Sequence, residues 1–199
     1  MSVDGYTKLA PGKLAALVTY LVHDLSQPVA TSALPDGMRL ELMRGAAITR
    51  YRRLYRLVGQ DWLWFSRLRM DEARLASILD SPPVEALALT GPQGDIGLLE
   101  LDFSQTSEPD LSYFGLAMHV TGQGVGTALM AQALTRARER GAHTLRVNTC
   151  SLDHPKALQF YVRNGFTPIR RAIEVFDDPR LDGTLPRSAA ACLPIIPGE

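Results

Sequence analysis

Two cysteines, Cys150 and Cys192, are all that the 199 residues contain. They show no metal-ligand spacing and no disulfide framework, which argues against a stapled secreted scaffold and a cysteine-based zinc module. The four histidines, His23, His119, His143 and His154, are scattered, so no metal site is expected. An excess of one charge is also missing: Lys plus Arg and Asp plus Glu each number 21. That balance removes a general attraction to nucleic acid or to an anionic membrane. No apolar run is long enough to cross a bilayer. The longest near the start, Leu14–Leu25, carries His23 and Asp24. Thr19, Tyr20 and His23 interrupt it and no convincing small-residue cleavage site follows, which argues against a signal peptide. A reducing, cytoplasmic setting is expected. Internal repeats and low-complexity stretches are absent as well.

What is present is the composition of an ordinary globular chain, 46% hydrophobic and 21% charged. Its length suits one domain with appendages. Val18–Val22 is β-rich and reads as a strand, with helix as an alternative. A Pro- and Ser-containing loop, Ser26–Gly37, follows. Met38–Met43 alternates and reads as a strand. Ala46–Val58 places Ile48, Tyr51, Tyr55 and Val58 at helical spacing, and Gly59 stops it. Asp71 opens a second helix, which Pro82–Pro83 ends. Val84–Thr90 and Asp95–Phe103 flank the turn Gly91–Gly94, and Leu111–Met118 continues the antiparallel run. Then come a helix over Gly126–Arg140, a strand over Thr144–Thr149, a helix over Pro155–Asn164 and a strand over Phe166–Phe176. The buried stripe of the Gly126–Arg140 helix is Leu129, Met130, Ala133, Leu134 and Ala137. Asp177–Glu199 reads as a tail.

Chemistry concentrates at Gly122–Gln123–Gly124–Val125–Gly126, between a strand and a helix. Glycine permits positive φ and close approach of a ligand to the backbone. The first amides of a helix have no internal partner, so the turn is suited to phosphate or pyrophosphate. A dinucleotide fingerprint needs a third glycine where Thr127 or Leu129 stands, and no acidic residue closes the Thr144–Thr149 strand. A Walker loop needs Gly-Lys-Ser/Thr, which is missing. A tight turn that binds nothing stays open on this motif alone.

A second motif lies downstream: Ala157–Leu158–Gln159–Phe160–Tyr161–Val162–Arg163–Asn164–Gly165–Phe166. Together with Thr121–Gly126 it resembles the two signatures of the GNAT superfamily of acyl-CoA-dependent N-acetyltransferases. The element order is similar too, over roughly Met38 to Phe176. The resemblance implies an α/β fold (an α+β mixed sheet) with helices on both faces, splayed to admit CoA. It implies an extension over residues 1–37, the transferase domain over 38–176 and a tail over 177–199 packed on or near it. Acetyl-CoA is the implied co-substrate, with no metal. Main-chain groups of Leu116, Ala117 and Met118 would pair with the pantetheine arm. Amides of Gly122, Gln123, Gly124, Val125, Gly126, Thr127 and Ala128 would hold the pyrophosphate, and Asn148 would reach the cofactor. Thr121 stands where the family has Arg or Gln, so the cradle should lean on backbone amides.

The implied reaction is direct attack of a primary amine on the thioester. Tyr161 matches the family's general acid, and the amide of Leu116 its carbonyl polariser. Glu100 projects from a strand whose other residues on that face are apolar, where burial would raise its pKa toward that of a base; a structural ion pair or a solvated sheet face is the alternative. Trp62, Trp64 and Phe65 would wall the acceptor site. The expected partner is a small-molecule amine or a peptide, with no nucleic acid and no membrane, and a homodimer is conceivable. A non-catalytic acyl-CoA sensor and a protein N-terminal acyltransferase are the other readings.

Overall fold

A computed structural model describes residues 4–26 and 32–197. Residues 27–31 of the expected Ser26–Gly37 loop, and the last two of the tail, lie outside the described residues. The strands are β1 (Lys13–Asp24), β2 (Arg39–Met43), β3 (Val84–Gly91), β4 (Gly94–Asp102), β5 (Asp110–Leu116), β6 (Thr144–Cys150) and β7 (Thr167–Asp177). The helices are α1 (Ile48–Gly59), α2 (Ser66–Arg69), α3 (Glu72–Asp80), α4 (Val125–Glu139) and α5 (Ala157–Arg163). Asp71 caps α3, its carboxylate accepting from the Arg74 amide at 2.7 Å.

Strand alternation sorts the core into layers. Ala86, Ala88 and Leu98 meet Tyr51, Leu54, Tyr55 and Val58 of α1 and Leu75 and Leu79 of α3. The intervening residues Leu87, Leu89, Leu99 and Leu101 pack with α4 through Leu129, Met130, Ala133, Leu134 and Ala137. The α4 stripe is the one its periodicity predicts. The result is a mixed α+β sheet with helices on both faces.

The sheet order is β2-β3-β4-β5-β6-β1-β7. All neighbours are antiparallel except β5 and β6, which are parallel. The strand expected in an N-terminal extension is therefore interior. β1 runs over twelve residues and pairs with β6 on one side (Val18 opposite Cys150) and with β7 on the other (Leu17 opposite Ile173). The tail closes over Leu63, Phe65 and Leu68 with Leu185, Ala189 and Leu193. Arg180 fastens it: buried beside Asp178, its guanidinium also donates to the carbonyls of Ala189, Ala190 and Leu193. Among the described residues no helix is long and apolar enough to cross a membrane.

Candidate active site

β5 and β6 pair at one point only, Asp110 with Arg146, where the Arg146 guanidinium grips the Asp110 carboxylate at 3.0 and 3.1 Å. Beyond it each strand follows its other neighbour. The end of β5 stays with β4, the Ala117 amide donating to the Ile96 carbonyl at 2.8 Å, while β6 follows β1. A register shift at Glu100–Leu101 leaves Ser112 unpaired against β4 and bends β5. A cavity of about 800 Å³ fills the gap.

One end of the cavity is the glycine turn. Gly122 and Gly124 hold φ of +84° and +81°, and a Cβ at either would stand in open space. The first intrahelical bond of α4 comes from the Ala128 amide to the Gly124 carbonyl. The amides of Val125, Gly126 and Thr127 precede it and are the unpaired N–H groups of the helix start. A Cβ on Gly126 would press against the Phe160 ring at 3.3 Å. The side chains of Thr121 and Gln123 turn back onto their own loop, toward the carbonyls of Ala117 (3.4 Å) and His119 (2.9 Å). A cradle of bare amides, open where side chains would stand, fits a pyrophosphate such as that of acyl-CoA.

The cavity lining includes Leu116, Met118, Gly122, Gly124, Gly126, Thr127 and Asn148. Four other expected CoA contacts are not on that wall. Ala117, Val125 and Ala128 are buried beneath it, and Gln123 is exposed on the loop. The Ala117 amide is already spent on β4.

Midway stands Tyr161 of α5, in contact with Phe160 and Phe114 at ring separations of 5.7 and 6.4 Å. The residue is 6% exposed. It lines the cavity, and its hydroxyl has no hydrogen-bond partner among the described residues. Burial, and then the nearby Asp153 charge, push its pKa above the ordinary phenol value, so it stays protonated at neutral pH.

The far end is aromatic. Trp62, Trp64 and Phe65 all line it, with Tyr113 and Phe176. Three side-chain hydroxyls form a chain along this wall: Tyr113 and Ser66 at 2.5 Å, Ser66 and Tyr55 at 3.2 Å. Asp153 was not anticipated. Its carboxylate accepts from the Trp64 indole at 3.1 Å, the Thr149 hydroxyl at 2.8 Å and the Cys150 amide at 2.9 Å. The available signal was its position just past the C-terminal end of a strand at the sheet's opening, where open α/β sheets hold ligands. Glu174 lines the same end from β7. Burial and the Asp153 charge push the Cys150 thiol up to about 11, so it is not an activated nucleophile.

Glu100 is placed elsewhere. It is 1% exposed and lies on the α1 side of β4, off the cavity wall. Its carboxylate pairs with the Arg67 guanidinium and accepts from the Tyr51 hydroxyl at 2.5 Å. Arg67 in turn lies over the Tyr113 ring, 5.2 Å from its centroid. Glu100 and Tyr161 are thus not brought onto one wall. Among the described residues, no His, Cys, Asp and Glu cluster has the arrangement of a metal site.

The sheet parts between two parallel strands, and an amide cradle suited to a phosphate stands at the mouth. The chain belongs to the acetyltransferase (GNAT) family, whose profile matches residues 52–166. Members generally use acetyl-CoA as co-substrate. No curated protein matches the chain. Several solved structures share the fold. A GCN5-related N-acetyltransferase from Sphaerobacter thermophilus superposes with TM-score 0.63 at 15% identity, over 84% of this chain and 52% of its own. A conserved protein of unknown function from Staphylococcus epidermidis gives 0.58 at 13%, over 84% and 63%. An aminoglycoside acetyltransferase from an uncultured soil metagenomic sample, in complex with sisomicin, gives 0.55 at 16%, over 65% and 88%. The chain thus spans less than two thirds of the first two.

Proposed function

We propose that this protein moves an acetyl group from acetyl-CoA to a primary amine by direct attack on the thioester. The observation that carries this reading is one continuous cavity from the glycine turn, past the Tyr161 hydroxyl, to the aromatic wall around Asp153. The co-substrate supplies the activated acyl group. The amides at the start of α4, with Gly122 and Gly124, receive its pyrophosphate. The half-buried Leu116 and the exposed Met118 guide the pantetheine arm, and the Leu116 amide is the carbonyl's polarising donor. Tyr161, held protonated, gives its proton to the departing sulfur.

Asp153 is the carboxylate that this cavity offers to the acceptor's ammonium, and Trp62, Trp64 and Phe65 enclose the carbon body. Glu100, the base that the sequence suggests, lies off the cavity wall. Its bonds to Arg67 and Tyr51 favour a supporting role beneath Tyr113, with the amine's proton passing to water in the cavity.

Calorimetric titration with acetyl-CoA tests the reading. No binding at about 500 μM would end it. Turnover is then assayed on an amine panel that includes arylalkylamines, polyamines, an aminoglycoside and short peptides. Tyr161→Phe should bind acetyl-CoA as the parent does and turn over about 10²- to 10⁴-fold more slowly. Unchanged turnover removes Tyr161 from the reaction. Binding without product on every acceptor would make the chain an acyl-CoA-binding module instead.

A further inference from the structure

β7 ends the sheet. β1 pairs with one of its edges, and from Thr167 to Phe176 nothing among the described residues pairs with the other. It is eleven residues long and rich in exposed β-branched side chains: Ile169 is 61% exposed, Ile173 63% and Val175 52%. Leu17, opposite Ile173 on β1, is 48% exposed and widens the patch on the same face. Chains that stay monomeric blunt such edges with inward charges, bulges, prolines or covering segments. Here Pro168 and a register shift against β1 at Ile169 disturb only the start of the strand, and the stretch from Arg170 to Phe176 is bare. A long edge of this kind is a template for another strand.

The side chains specify which strand. Any two-fold axis that joins two copies of one edge antiparallel stands perpendicular to the sheet and keeps its faces. Residues opposite one another then belong to the same face, which restricts the register to alternate values. Centred on Ala172, Arg170 faces Glu174 twice and Arg171 faces Ile173 twice. Centred on Arg171, the two arginines collide. Centred on Ile173, Arg170 faces Phe176 and Ala172 faces Glu174. Of the three, only the first sets opposite charges against one another. The charges are also free to be matched: among the described residues Arg170, Arg171 and Glu174 make no ion pair. Arg170 is already held in place by the Tyr20 ring, 4.1 Å from guanidinium carbon to centroid.

We propose that β7 pairs antiparallel with β7 of a second copy about Ala172, joining two seven-stranded sheets into one. Because Glu174 also lines the acceptor end of the cavity, Arg170 of the second copy would stand beside that wall and set its charge. The interface does not depend on the acyl-transfer reading, and its test requires no activity.

Sedimentation velocity on the full chain at about 100 μM should give twice the 21.8 kDa chain mass. A monomer at that concentration overturns the proposal. Arg170→Glu and Glu174→Arg should each raise the dimer dissociation constant at least about tenfold, since each places like charges opposite one another twice. An equimolar mixture of the two variants should dimerise again, because every cross-strand pair is then of opposite sign. That rescue separates a lost interface from a misfolded chain. Ile173→Lys should be monomeric. A dimer indifferent to the charge reversals and to Ile173→Lys would overturn the proposal, since the contact would then lie elsewhere.

Discussion

Burial does opposite work at Tyr161 and Glu100. The phenol at Tyr161 has no partner among the described residues, and burial, then a nearby carboxylate, keep its proton on. Glu100 is fully engaged by Arg67 and Tyr51. Glu100→Gln should therefore act on stability. It leaves the Arg67 guanidinium, whose side chain is 14% exposed, without its counter-charge. Breaking a buried pair in this way costs about 3 kcal/mol, a drop in melting temperature on the order of 10 °C. Scanning calorimetry checks it. A variant that melts like the parent yet has lost turnover would return Glu100 to the role of base. Cys150 gives a second prediction. With its thiol pushed up to about 11, it should resist iodoacetamide at pH 8 while the exposed Cys192 is alkylated. Peptide mass mapping reads both sites at once. Tyr161 was legible in the sequence because the residues around it form a pattern of fixed spacing. Asp153 was not, because its place is fixed by Trp64, Thr149 and the Cys150 amide, and no local spacing links position 64 to position 153.

At the level of elements, the glycine turn and the parting of β5 from β6 are separate devices that meet in one cavity. The turn was readable as a turn because alternating glycines between a strand and a helix permit positive φ; whether it holds a ligand was not, since the motif alone leaves a plain bend open. The parting was not: it arises from which neighbour each strand follows, and side-chain alternation reports faces, not neighbours. The same limit explains β1, recognisable as a strand from its composition but silent about lying between β6 and β7. Gly124→Ala tests the turn as an element. At φ of +81° an alanine costs about 1 kcal/mol. Its methyl meets no protein atom, since that space is open; under the proposed function it takes space that a pyrophosphate would need. The expected result is a melting temperature lowered by only a few degrees with acetyl-CoA affinity down about tenfold or more. Titration and a thermal scan on the same sample decide it. Equal loss in both, or affinity unchanged, would show that the turn is structural and that the amides of α4 do not receive the phosphates.

For the whole molecule, the placement of β1 makes the ends of the chain interdependent. The matched family segment, residues 52–166, excludes both β1 and β7. Yet among the described residues β7 has no strand neighbour in the chain but β1, and β6 keeps only the single Asp110–Arg146 pair to β5 without it. β1 also buries Ala16, Val18 and Leu21 to 6% exposure or less. Those side chains contribute on the order of 5 kcal/mol, comparable with the net stability of about 5–15 kcal/mol that a domain has in total. A chain lacking residues 1–24 should therefore fail to fold its second half even though the matched segment is intact. Amide exchange followed by mass spectrometry should find β6, α5 and β7 unprotected while β3 and β4 are at most partly protected. Supplying residues 4–26 as a separate peptide should restore protection to β6 and β7 together, because one strand bridges both. Protection of β7 in the shortened chain without the peptide would show that β1 decorates the sheet and does not hold it.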